Sequence, residues 1–266
     1  MSSYRASSAN SKIFVYIKID ILSLHRQNKK VYVTVNTLIY DVEVERFINY
    51  IDFLHQNNVD AVIMQDIGMI DLVRKTYPNL EIHASTQMTA ENQLKLDYIE
   101  SKGIKRIVLP REMRKEEIAQ IKTNMELEIF AHGALCYSYS GHCLLSSMQG
   151  GRSGNRGTCA QPCRHAYRGD SGEAYYALSP KDLCLIERIP ELVMSGASSF
   201  KIEGRMKSPE YVAIVTKIYR KYIDLFDELV KEHGPKKAAE LYSVDENDML
   251  DLRQIFNRGD FTEGYL

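Results

Sequence analysis

The chain of 266 residues is 44% hydrophobic and 26% charged, ordinary globular values that exclude a disordered, collagen-like or low-complexity protein. Its 34 Lys and Arg balance 35 Asp and Glu to a net charge of −1, so any affinity for nucleic acid or membrane must come from a local patch. Five cysteines without an export signal argue against a disulfide framework and for reduced thiols, metal ligation or catalysis in a soluble, cytoplasmic protein.

The apolar run Ile13–Leu22 is too short to span a bilayer and is interrupted by Lys18 and Asp20. Its alternation predicts a strand. From residue 30, short β-branched runs alternate with segments of helical period. The predicted strands are Val31–Asn36, Ala61–Gln65, Leu80–Ala84, Arg106–Leu109, Glu126–Ala131 and Ser199–Glu203, with helices over 42–56, 67–77, 90–102 and 114–123 between the first five. Repeated βα units imply parallel strands with right-handed crossovers, so a TIM-like (β/α) barrel is the best fit and a doubly wound open sheet the second. The predicted organisation is an atypical N-terminal segment (1–28), a barrel domain (29–232) that includes the loop 133–182, and a helical extension (233–266).

Each strand ends in polar groups: Asn36, Gln65 and Asp66, His83 with Ser85 and Gln87, Arg111, His132, then Glu203 and Arg205. Any one of these can simply mark where a strand leaves the core, but six ends in succession point to a lined pocket at the C-terminal face of a barrel. The final long helix is signalled by Ser208 as N-cap and Pro209 at the first helical position. Ser243 and Glu246 have the spacing of a capping box opening a further helix.

Residues 133–182 break the βα rhythm. Cys136, Cys143, Cys159 and Cys163 are spaced C-x6-C-x15-C-x3-C in a Gly-rich segment, a set that can hold either tetrahedral zinc or an iron–sulfur cluster. Zinc sites favour tight Cys pairs, a form only Cys159 and Cys163 have, whereas the wider first pair suits a larger cluster. Cys184 has apolar neighbours and reads as a core thiol. Between Ile129 and Gly169 there is no acidic residue, yet Arg152, Arg156, Arg164 and Arg168 give a local charge of +4, which suits an anionic partner or offsets cluster thiolates. No H-E-x-x-H motif, G-x-S-x-G elbow or P-loop is present, and the remaining hydrolytic arrangement is a Cys–His nucleophile of Cys136 with His132 or His142.

The blocks Glu128–Cys136, Ser140–Ser146, Gly151–Gly157, Leu178–Leu183 and Phe200–Ser208, with Val31–Thr37 and His83–Gln87, resemble the signatures of the U-type peptidase family 32 over roughly residues 28–266. Named for collagenase-like peptidases, the family includes bacterial members similar to the prephenate-dependent tRNA hydroxylases. Those enzymes convert a wobble uridine to 5-hydroxyuridine without molecular oxygen, using a four-iron cluster on a barrel. The resemblance implies tRNA as partner, rather than DNA or a membrane, with prephenate as hydroxyl donor. It implies a 4Fe-4S cluster on Cys136, Cys143, Cys159 and Cys163, with Cys184 as the substitute ligand. It places His83, Gln87, Arg111, His132, Lys181, Glu203 and Arg205 at the barrel mouth, and Arg152, Arg156, Arg164 and Arg168 against RNA. Family members begin with a βαβ unit ahead of the first block, so the resemblance implies a polar-faced amphipathic helix over residues 11–27, against the strand-like alternation of Ile13–Leu22, a barrel lacking two strands, and a second family member as partner subunit. The alternatives are a collagenase-like peptidase or an inactive, partner-dependent fragment.

Overall fold

A computed structural model describes residues 10–170 and 172–265. In chain order its helices and strands are α1 (Asn10–His25), β1 (Tyr32–Thr34), α2 (Val44–Gln56), β2 (Ala61–Met64), α3 (Ile67–Thr76), β3 (Glu81–Ala84), α4 (Gln93–Ser101) and β4 (Arg106–Val108). There follow α5 (Lys115–Ile118), β5 (Glu126–Gly133), α6 (Leu145–Gly150), β6 (Tyr167–Arg168), β7 (Ala174–Tyr175) and β8 (Asp182–Cys184). The chain closes with α7 (Ile189–Met194), β9 (Ala197–Glu203), α8 (Pro209–His233), α9 (Pro235–Leu241), α10 (Glu246–Ile255) and β10 (Phe261–Thr262). The residues group into two compact units, one comprising the chain through Val108 with Thr123–Met125 and His142–Ala160, the other Leu109–Lys122, Glu126–Gly141 and Gln161 onward.

The first unit follows the βα pattern. Strands β1 to β4 pair in sequence order and in parallel, with Val33 opposite Val62, Ile63 opposite His83 and Ala84 opposite Ile107. All four residues of β2 are buried, as a strand covered on both faces requires. Helix α2 buries Phe47, Ile51 and Leu54, one helical stripe, while α3 and α4 start where Asp66 and Asn92 accept from the amides of Met69 and Lys95.

The second unit departs from that pattern. Strand β5 pairs in parallel with β9, but its last residues pair antiparallel with β8, and β8 pairs in parallel with β10. A register shift between Phe130 and His132 releases Ala131 from the β9 ladder. Its carbonyl instead accepts from Leu185 N at 2.9 Å and Tyr219 Oη at 2.7 Å, so the bulge hands the strand from one partner to another. Helix α8 is capped by Ser208 as expected and buries Tyr211, Val215, Ile218, Tyr219, Tyr222 and Phe226 against Ile186, Ile189, Ala238 and Leu252.

Four expectations are corrected. The fold is mixed α/β with mainly parallel strand pairing, but no pairing among the described residues closes a TIM barrel; β8, antiparallel to β5, interrupts the βα repeat. Residues 10–25 form α1, the helix that the resemblance implies, rather than the strand their alternation suggested: Ile21 is buried while Ile19 is 54% exposed, which a strand alternation would not give. The helix ends in a Schellman motif, with Asn28 at φ 56°, Asn28 N bonded to His25 O and Lys29 N to Leu24 O. The helix expected over 114–123 stops at Ile118, since Thr123 and Asn124 are held instead by the Glu100 carboxylate. The cap of α10 is Asp245, accepting from Asn247 N at 2.8 Å, and not Ser243. No helix among the described residues is long and apolar enough to cross a membrane.

Candidate functional site

In the first unit the ends of β1, β2 and β3 bring together Asn36, Gln65, Ser85 and Gln87. Asn36 Nδ2 donates to Gln87 Oε1 at 3.0 Å and to Ser85 Oγ at 3.4 Å. Gln65 Nε2 donates to Asn36 O at 2.6 Å and to Gln87 Oε1 at 3.3 Å. His142, next to Cys143, bonds the Gln87 carbonyl at 2.8 Å. These neutral amides form a network whose members fix one another's orientation. His83 is buried, edge-on to Tyr32 with centroids 4.7 Å apart and 2.7 Å from the Glu81 carboxylate.

The same unit holds two of the four loop cysteines. Cys143 is half-buried, its Sγ accepting from Leu145 N, and Cys159 is exposed. Gly154 lies between them: a Cβ there would stand 3.4 Å from the Cys143 carbonyl and 3.7 Å from Cys159 Cβ. Arg152 is exposed and donates to Thr158 O, whereas Arg156 is committed to the Glu43 carboxylate, the Leu38 carbonyl and the face of Tyr40. Two expected RNA-facing arginines therefore differ: one is free to reach solvent and the other anchors the loop.

The second unit holds the other two cysteines. Cys136 is exposed, 3.5 Å from Ser138 Oγ, and Cys163 is half-buried. Arg164 ties their segments together, donating to Leu135 O, to Ser179 Oγ at 2.8 Å and to Pro180 O at 2.6 Å. Burial and Arg258 lower its pKa, opposed by the Cys163 thiol, Asp182 and the Cys136 thiol. Glu112 fixes the turn after Cys136, its carboxylate accepting from Ser140 N at 2.7 Å and Ser140 Oγ at 3.0 Å, with Ser140 at φ 44°. Arg111 stacks on Phe130 at 3.5 Å and approaches Glu203 at 3.8 Å. Burial lowers its pKa, while Glu203, Cys136 and Glu112 oppose that shift.

The remaining expected residues divide by exposure. Lys181, Arg168 and Arg205 are exposed. Glu203 accepts from Arg205 N at 3.1 Å. His132 is 1% exposed, packed against Tyr219 and Phe261, and burial followed by the Lys207 charge pushes its pKa down to about 4. It makes no hydrogen bond to Cys136, so that Cys–His nucleophile is not assembled. Cys184 is buried with Tyr219 Oη at 3.9 Å, and burial raises its pKa. Four free thiols in an acid-free, arginine-bearing segment are the donor chemistry of an iron–sulfur cluster. They stand as one pair in each unit, and no three Cys, His, Asp or Glu groups among the described residues form a metal-holding set.

Sequence reasoning missed Glu112, Lys207, Asp182 and Arg258. Asp182 and Lys207 do lie inside blocks that carried the resemblance, but nothing in the local pattern shows that one is buried and the other without a partner.

A mixed α/β protein with a cysteine- and arginine-bearing loop between β5 and β8 is thus the class that fold and site define. The chain matches the profile of peptidase family U32 over residues 3–266 and belongs to that family. It is 39% identical over 95% of its length to an uncharacterized protease of Methanocaldococcus jannaschii, covering 67% of that protein. It is 40% identical over 74% of its length to a tRNA hydroxylation protein of Bacillus subtilis, and 37% identical over 88% to a 23S rRNA 5-hydroxycytidine synthase of Escherichia coli. The chain spans 50% and 36% of the lengths of those last two relatives. A solved U32 peptidase is similar over 44% of this chain and 51% of its own, at 15% identity and a TM-score of 0.39.

Proposed function

We propose that the protein is an RNA-modifying enzyme that hydroxylates a pyrimidine base, with the wobble uridine of tRNA as target and 5-hydroxyuridine as product. The observation that carries this reading is the likeness, at 40% and 37% identity over most of this chain, to two proteins named for RNA hydroxylation. Cys136, Cys143, Cys159 and Cys163 would hold a 4Fe-4S cluster, which supplies one-electron chemistry when bound, and prephenate would be the hydroxyl donor.

The chain's own residues have definable parts in this reading. Exposed Arg152 and Arg168 would contact phosphates, a sequence-independent contribution that weakens as salt rises. Arg164 and Glu112 hold the segments that carry Cys136 and Cys163. The amides at the ends of β1 to β3 offer hydrogen-bonding groups suited to a base edge. A second family member would act as partner subunit.

The test is nucleoside mass spectrometry of tRNA incubated with anaerobically purified protein and prephenate. Formation of 5-hydroxyuridine that requires prephenate supports the reading. Cleavage of gelatin by iron-free protein, with no change in the RNA, would instead support the peptidase reading attached to the archaeal relative's name.

A further inference from the structure

In the amide network at the ends of β1 to β3, one backbone carbonyl fixes the direction of every bond. The Asn36 carbonyl can only accept, so the Gln65 side-chain atom 2.6 Å away is Nε2. That nitrogen faces Gln87 at 3.3 Å, which therefore presents Oε1, and Oε1 in turn requires Nδ2 from Asn36 at 3.0 Å. Flipping any one amide sets donor against donor or acceptor against acceptor. Ser85 Oγ accepts the second proton of Asn36 Nδ2 at 3.4 Å and the Gln87 backbone N–H at 3.3 Å.

These bonds consume one end of each amide and leave the other. Gln87 Nε2 remains as a donor, Asn36 Oδ1 and Gln65 Oε1 remain as acceptors, and none of the three has a partner among the described residues. The three side chains are half-buried, and each of these atoms opens to solvent instead of being sealed in. An amide's oxygen and nitrogen are about 2.3 Å apart, which keeps Gln87 Nε2 within about 8 Å of the other two, the reach of one nucleobase with its hydrogen bonds.

A further contact orients this set relative to the cysteines. The Gln87 carbonyl accepts from His142 Nε2 at 2.8 Å, and Cys143 is the next residue in the chain. Asn36 and Gln65 bond only Gln87, Ser85 and each other, so Gln87 is the amide tied to the cysteine-bearing segment.

That order can be matched to a pyrimidine that reacts at C5. A ring with C5 toward the Cys143 side presents its 4-substituent next, to Gln87, and N3 after that, to Asn36 and Gln65. Uracil meets the order in full: O4 accepts from Gln87 Nε2, and N3–H donates to Asn36 Oδ1 or Gln65 Oε1. Cytosine sets its amino group against the Gln87 donor and its N3 lone pair against the acceptors. A site built to hydrogen-bond one base rejects the other because its own polar groups are then left unpaired.

We propose that Gln87 reads the 4-position of the target base and selects uracil over cytosine, with Gln65 as the positioning residue that holds the Gln87 amide in the reading direction. This deepens the hydroxylase reading and rests on it for the placement of C5.

The test is fluorescence anisotropy of anticodon stem-loop RNAs that differ only at the wobble base, titrated with the anaerobically purified protein. Phosphate contacts are common to every RNA and cancel in the affinity ratio. The uridine loop is expected to bind tighter than the cytidine loop by about tenfold or more. A 3-methyluridine loop, which keeps O4 and loses N3–H, is expected to bind as weakly as cytidine, and it probes the contact without altering the protein. In Gln87→Glu the carboxylate still accepts from Asn36 and Gln65 but turns an acceptor toward position 4, so the preference is expected to invert. Gln65→Met removes the lock and is expected to bring the ratio toward one. Equal affinity for uridine and cytidine loops, no binding of either, or a preference unchanged in Gln87→Glu would overturn the proposal, and a preference unchanged in Gln65→Met would overturn the positioning role. A uridine preference inverted by Gln87→Glu, with no 5-hydroxyuridine in the nucleoside mass spectrum, would retain the base-reading site and refute the hydroxylase reading. Prephenate-dependent hydroxylation with the preference unaltered in Gln87→Glu would do the reverse.

Discussion

The strand ends of the two units solve the same problem in opposite ways. In the first unit, Asn36, Gln65, Ser85 and Gln87 are uncharged and bond one another. In the second, His132, Asp182 and Lys207 are titratable, and each keeps a buried atom with no hydrogen-bond partner among the described residues. A network that satisfies itself adds stability and presents a fixed surface, whereas groups left unpaired cost stability and are retained where function uses them.

The largest effect that can break this comparison concerns the cysteines, which both units share. Serine at Cys136, Cys143, Cys159 or Cys163 is expected to abolish bound iron and RNA hydroxylation, while Cys184→Ser retains iron. Iron and acid-labile sulfide, assayed on anaerobically purified variants, check this. Retention of iron by all four variants would remove the cluster assignment.

Next comes acid stability. The pKa of His132 is about 4 in the fold against 6.5 unfolded, so between those values the unfolded chain binds more protons and stability falls as pH falls. A shift of that size corresponds to about 3 kcal/mol, lost progressively from pH 6.5 to 4. Urea unfolding across that range is expected to show the loss in the parent and not in His132→Gln.

Smaller effects separate the two units directly. Gln87→Ala breaks bonds to both Asn36 and Gln65 and is expected to cost about 1–2 kcal/mol in urea unfolding. Lys207→Gln removes no hydrogen bond, only the contacts of Nζ with the Phe256 and Tyr211 rings, and is expected to cost less than that. A reversal of that order would contradict the division into a self-satisfied and an unsatisfied cluster. Smallest is Arg152→Ala, expected to leave stability unchanged and to reduce the salt slope of tRNA binding by about 1. The same change at Arg156 removes the Glu43 ion pair and Leu38 bond as well, and is expected to lower the melting temperature.

Much of this was legible in the sequence where one signal acts locally. The strands β1 to β5 are present with ends displaced by a residue or two, because buried β-branched runs and short loops specify them. Ser208 and Pro209 started α8 where expected. The three residues of β8 are too few for a period, and their antiparallel direction depends on the bulge at Ala131, fifty residues earlier in approximate terms, a long-range fact. In α1 the alternating isoleucines fitted a strand, but the Asn28 turn and the uneven burial of Ile19 and Ile21 belong to a helix. Gln87 was recognised as a site residue, whereas Lys207 was not. A lysine beside a helix cap reads as solvated, and only its packing on Phe256 and Tyr211 shows otherwise.

The central proposal is RNA hydroxylation by this U32 protein. The most direct measurement is the nucleoside mass spectrum of tRNA after incubation with the anaerobically purified, iron-loaded protein and prephenate. The account predicts 5-hydroxyuridine in the complete reaction, and none without prephenate or with Cys159→Ser. Unmodified tRNA in the presence of an iron-loaded protein shown to bind both tRNA and prephenate would contradict it.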